Sequence, residues 1–173
     1  MKIRKIAILS IFVSCAFGVN CLESLANLSI PGVRLGFANI FPLLALFLFG
    51  AKEAFLVAFA RLALSYFLSG NLLALSCATL GTISALSVES VLFLMGWCKS
   101  PVTLSVIGAW CFNIGQLCAV YLLLTSAKIF LLAPWILSIG IVTGLAVGIF
   151  TKKLLAICKR ILQFPFDNNG LKC

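Results

Sequence analysis

Few side chains in this sequence could do chemistry. The 173 residues include four acidic groups, Glu23, Glu53, Glu89 and Asp167, and no histidine. Consecutive acidic residues stand at least 30 positions apart, and no Asp-rich cluster occurs that could hold Mg²⁺ against a diphosphate. No glycine-rich loop with a phosphate-binding lysine is present, so the chain cannot hydrolyse ATP alone. Eight cysteines occur without a CxxC pair, and Cys15, Cys77, Cys111 and Cys118 fall inside apolar runs. They read as small packing residues, and neither a metal site nor a cofactor is expected. Catalysis by this chain is not expected.

What remains is a set of polar residues embedded in apolar sequence. Arg61 and Glu89 lie within long hydrophobic stretches. An isolated charge at the centre of a membrane helix costs about 2.5–3.5 kcal/mol on insertion scales, so each needs a partner or a task. Counted from the ends of their stretches, both lie roughly 10–12 Å in from the same side, which predicts an intramembrane ion pair between them. That pair is either structural or part of transport and coupling. A second group gathers towards the other side: Glu23, Arg34, Asn39 and Asn71, with Asn113 and Gln116 deeper and three residues apart on one helix face. Each alone reads as a helix cap or an interhelical hydrogen bond. Together they could form a small-molecule pocket of a few hydrogen-bonding groups in an apolar surround, closed by the loop 26–34 with its Pro31-Gly32.

The elements that must position these residues are membrane helices. Hydrophobic residues make up 63% of the chain and charged ones 10%, with a mean hydropathy of +1.22. Such a chain could not cover its surface in water, but it has enough stretches of about 20 apolar residues to cross a bilayer repeatedly. The fold class is therefore an all-α integral membrane protein, a bundle of about six transmembrane helices. Span 1 follows the basic start and is retained rather than cleaved as a signal peptide. Spans 2 to 6 are expected at about 35–50 (short, interrupted by Pro42), 53–69, 72–96, 102–125 and 130–151. With both termini inside, ten basic residues fall on the cytoplasmic side, and only Arg34 and Lys128 fall outside. This predicts a multi-pass protein of the cytoplasmic (inner) cell membrane. The clustering of basic residues at the chain ends and in short breaks is a topology signal, so the net charge of +9 does not point to nucleic acid.

Two domains follow: a transmembrane helical domain over 1–151 and a basic amphipathic cytoplasmic tail over 152–173. The tail places Lys152, Lys153, Lys159 and Arg160 on one face. It suits either an anionic membrane surface or an extension of span 6 that meets a partner. Two small-residue repeats would allow close helix packing, Ser10, Ser14 and Gly18 in span 1 and Gly140, Gly144 and Gly148 in span 6. Each faces either a neighbouring span or another membrane subunit.

The run Pro31-Gly32-Val33-Arg34-Leu35-Gly36-Phe37-Ala38-Asn39, preceded by Leu22-Glu23-Ser24-Leu25, resembles the start of the Gx transporter family, also labelled heptaprenyl diphosphate synthase component I. Lys52-Glu53-Ala54, Arg61, Ser69-Gly70-Asn71 and Asn113-Ile114-Gly115-Gln116 support the resemblance, which covers about residues 20–150. Where that family commonly has His before the Asn of the last motif, this chain has Phe112, which removes a polar role from that position. The family is similar to the substrate-binding S components of energy-coupling-factor transporters. The resemblance implies six helices with both termini inside, an outward pocket beneath the loop joining helices 1 and 2, and small residues on helix 1 that meet a transmembrane coupling subunit. It implies uptake of a small vitamin-like or precursor molecule powered by partner ATPases. The alternatives are a non-catalytic membrane partner of an isoprenoid- or quinone-pathway enzyme, and a ligand-free membrane scaffold.

Overall fold

In a computed structural model the protein is described for residues 2–25, 36–70, 72–97, 100–124, 131 and 133–162. Six α-helices follow one another: α1 (Lys2–Leu25), α2 (Ile40–Phe49), α3 (Ala51–Ser69), α4 (Leu72–Leu94), α5 (Pro101–Leu124) and α6 (Ala133–Leu162). A 3₁₀ turn, Phe37–Asn39, leads into α2. The fold is the all-helical bundle expected. The helices α1, α4, α5 and α6 each carry an apolar stretch long enough to cross a membrane. Helix α3 has the length, 19 residues, but carries Lys52, Glu53 and Arg61.

Helix α2 departs from the expected 35–50 span. Its ten residues rise about 15 Å, half the hydrocarbon thickness of a bilayer. Seven of the ten are buried, so it is apolar all round because it is enclosed by protein rather than because it faces lipid. Pro42 does not interrupt this helix. It sits in the first turn, where its missing N–H has no intrahelical partner to lose. The chain then reverses at Gly50, whose φ of 105° favours glycine, and enters α3.

Leu43, Leu44 and Leu46 of α2 form the centre of the core with Ala54, Val57 and Ala58 of α3, and Leu9 and Phe12 of α1 close it. On the other side of the bundle α4 packs on α5 and α5 on α6. There the glycine repeat of α6 is used internally. A Cβ on Gly148 would stand 2.6 Å from Cα of Val102, and one on Gly144 would stand 2.9 Å from Cα of Val106. The other repeat faces outward: Ser10, Ser14 and Gly18 are exposed, and nothing lies within 4 Å of a Cβ on Gly18.

At the N-terminal end of α1, Lys5 pairs with Glu53 at 2.5 Å and lies over the Phe49 ring. This fixes the start of α1 and the α2–α3 turn at one end of the bundle, as alternating spans require. At the far end of the chain α6 continues unbroken to Leu162. Leu155 is buried in the core while Lys152, Lys153, Lys159 and Arg160 stay exposed, so residues 152–162 extend α6. The rest of the tail lies outside the described residues.

Candidate functional site: a cavity inside the bundle

The site is assembled around the short 3₁₀ turn. Gly36 adopts a left-handed φ of 83°, and its carbonyl accepts from the Asn39 N–H at 3.0 Å. The first N–H groups of such a turn have no partner within it, and Glu23 supplies one. The Glu23 carboxylate, buried at the end of α1, accepts from the Phe37 N–H at 2.6 Å. The Glu23 carboxylate thus joins the end of α1 to the entrance of α2.

Asn39 faces the opposite way. Its amide oxygen accepts from the Arg61 guanidinium of α3, which also donates to the Thr82 hydroxyl of α4 at 3.3 Å. Ser65 donates to the Arg61 carbonyl at 2.8 Å and accepts from the Asn20 amide of α1. Neutral oxygens from the 3₁₀ turn and from α4 therefore solvate this buried cation. The expected Arg61–Glu89 ion pair is absent among the described residues, where the ion pair found is Lys5–Glu53. The physical reason is depth. The observed helix ends place Arg61 ten residues into α3 and Glu89 five residues before the end of α4, about 15 and 7.5 Å in. Arg61 meets α4 at Thr82, two turns from Glu89.

Glu89 instead lines a small cavity. The cavity measures about 20 Å³, counted as space open to a water's centre, which is room for one group the size of water or an ammonium head. Gly36, Asn39 and Leu43 form one wall, and Glu89 enters from α4. Helix α5 contributes Ser105, Gly108, Ala109, Phe112 and Asn113, and α6 contributes Thr143, Gly144 and Val147. The missing side chain of Gly108 admits the carboxylate, since a Cβ there would overlap the Glu89 carboxylate oxygen. Phe112 is wedged between Gly81 and Gly36, so the position discussed above as a polar site in relatives presents an apolar ring.

Of the residues expected to share a pocket, Asn39 and Asn113 line this cavity. Glu23 is engaged with Phe37, and Gln116 is not in the lining. Gln116 is 1% exposed, and neither polar atom of its amide has a partner among the described residues. Arg34, Asn71 and the loop 26–34 lie outside the described residues. The contributions of Glu89, Ser105, Gly108 and Thr143 to one cavity were not read from the sequence. Their signal, small or polar residues within apolar helices, is the same one that marks ordinary packing.

No curated protein and no solved structure matches the chain. A family model does match, over residues 12–154, from the middle of α1 into the last third of α6: the chain belongs to the heptaprenyl diphosphate synthase component I family.

Proposed function

We propose that this protein is the membrane-embedded substrate-binding subunit of a small-molecule uptake transporter in the cytoplasmic membrane, energised by partner ATPases. The observation that carries this reading is the convergence of buried polar groups from α4, α5 and α6, with Asn39 of the 3₁₀ turn, on one cavity lined otherwise by apolar residues. A bundle built only as a scaffold has no need to bury Glu89, Ser105, Asn113 and Thr143 around empty space. The exposed Ser10, Ser14 and Gly18 stripe on α1 supports a close helix contact with a coupling subunit, because no described residue covers it. The dispersal of the four acidic residues supports a non-enzymatic role.

The family's name favours a second reading, a non-catalytic membrane partner of a prenyl diphosphate synthase. Affinity purification from native membranes, followed by native mass spectrometry, separates the two. The transporter reading expects a polar small molecule retained by the chain and nucleotide-hydrolysing partners. Co-purification of a soluble prenyl synthase with no small ligand would sink it.

A further inference from the structure

The lining of the cavity is unusual in its hydrogen-bond polarity. Ser105 gives its hydroxyl hydrogen to the Gly144 carbonyl at 2.8 Å, and Thr143 gives its own to the Gly140 carbonyl at 3.3 Å. The Asn113 amide nitrogen donates to the Ile136 carbonyl at 3.1 Å. The oxygens of these three side chains therefore have lone pairs rather than hydrogens to offer. Asn39 is the exception: its oxygen is occupied by Arg61, and its nitrogen lies against Gly36.

Among these acceptors stands Glu89. It is 6% exposed, and no hydrogen-bond donor among the described residues reaches it. Around it, Arg61 on α3 is held by Asn39 and Thr82, and the lining residues of α2, α5 and α6 carry no charge. A carboxylate in this position lacks a counter-charge among the described residues, and one carboxylate balances one positive charge. A divalent ion would leave an excess charge buried in an apolar surround. A cation that donates hydrogen bonds satisfies both the charge and the acceptors.

We infer that the cavity is a binding site for a single primary-ammonium cation, held by Glu89 and by the oxygens of Ser105, Asn113 and Thr143. The cavity has room for an ammonium head but not for a whole vitamin-sized molecule. The cation is then either free ammonium or the amine end of a larger compound. As the recognition element of a transported amine the site rests on the transporter reading above; binding of the cation itself does not.

The test uses the purified full-length protein in lipid nanodiscs, with thermal unfolding followed during titration of ammonium chloride or methylammonium chloride. Choline chloride, whose head group has no N–H, keeps the ionic strength constant. The expected result is a saturable upward shift of the midpoint with ammonium or methylammonium and none with choline or sodium. Tighter binding of methylammonium than of ammonium identifies the end of a larger amine, and the reverse order identifies the free ion. Glu89→Gln should weaken the response at least tenfold. Thr143→Val keeps the side-chain shape and removes the oxygen, so it should weaken the response severalfold when each protein is referred to its own midpoint without cation. If Glu89→Gln does not fold, Thr143→Val decides alone. An identical response in wild type and Thr143→Val, no saturable response in the wild type, or a response to pH with no dependence on the cation overturns the inference. If ATPase partners still co-purify in that case, the transporter reading stands without this site. If the cation binds and no such partner is found, the site stands without that reading.

Discussion

Two glycines in small-residue repeats should answer one methyl group with opposite signs. On α6, the Cβ added by Gly148→Ala would stand 2.6 Å from Cα of Val102 and 3.2 Å from its carbonyl oxygen. Carbon atoms attract best at about 3.5–4.0 Å, so the backbones of α5 and α6 must separate by roughly 1 Å near this point. Neither contact is the end of a flexible side chain that could swing away. Overpacking of this kind costs about 1–3 kcal/mol, against which alanine returns about 0.8–1.0 kcal/mol of helix propensity. The net expectation is a loss of up to about 2 kcal/mol. On α1, the Cβ added by Gly18→Ala meets nothing within 4 Å, so only the propensity gain remains, up to about 1 kcal/mol. Unfolding of the isolated protein in mixed micelles by titrated sodium dodecyl sulfate measures both. Equal destabilisation by the two substitutions would refute the packing argument. The same pair probes the proposed partner surface. Gly18→Leu should leave the isolated chain stable while reducing recovery of partner subunits on affinity purification at least tenfold.

Four further perturbations test other contacts. Removing Lys5 or Glu53 should cost about 0.2–1 kcal/mol, because the pair is partly exposed, and a double-mutant cycle run at low and high salt should show the coupling fading with salt. Reversing charges together as Arg61→Glu with Glu89→Arg should not recover the stability lost in either single variant, since the two groups do not pair; substantial recovery would restore the ion-pair view. Asn113→Ala removes a hydrogen bond to the buried Ile136 carbonyl, at a cost of about 1–3 kcal/mol, and should also weaken small-molecule retention at least tenfold. A reporter fusion after Gly70 should give an external signal while fusions at the two termini give cytoplasmic ones, as the basic asymmetry requires.

The sequence carries the helical architecture well and the interior poorly, for a physical reason. Lipid contact demands long apolar stretches, so α1, α4, α5 and α6 were legible by length and hydropathy. Helix α2 is apolar because protein surrounds it, and the same composition suggests a full span although the helix has ten residues. The ion-pair expectation failed through boundaries: moving the start of α3 from residue 53 to 51 and the end of α4 from 96 to 94 separates Arg61 and Glu89 in depth. Azimuth is invisible in one sequence. Asn113 and Gln116 share a helix face by spacing, yet only Asn113 lines the cavity. Likewise the spacing of Ser10, Ser14 and Gly18 matches that of the α6 glycines, and only packing shows that one repeat is occupied and the other is not.

The separation of Arg61 from Glu89 bears on what the bundle is for. A protein needing only to neutralise two buried charges would place them together, since unpaired charge in the membrane interior is costly. Here Arg61 donates to the neutral oxygens of Asn39 and Thr82 and does not reach the Glu89 carboxylate. Asn39 lines the same cavity as Glu89, so the group that solvates the guanidinium and an acidic side chain with no partner among the described residues share one space. Pairing Arg61 with Glu89 would remove the negative charge from the cavity and leave Asn39 without its donor. The bundle thus keeps a fixed positive side, screened by amide and hydroxyl oxygens, and a negative side open to a guest. Glu89 and the Asn39 amide thus reach the same small cavity while the guanidinium is held outside its lining, which leaves the acidic side chain available to the single cation inferred above.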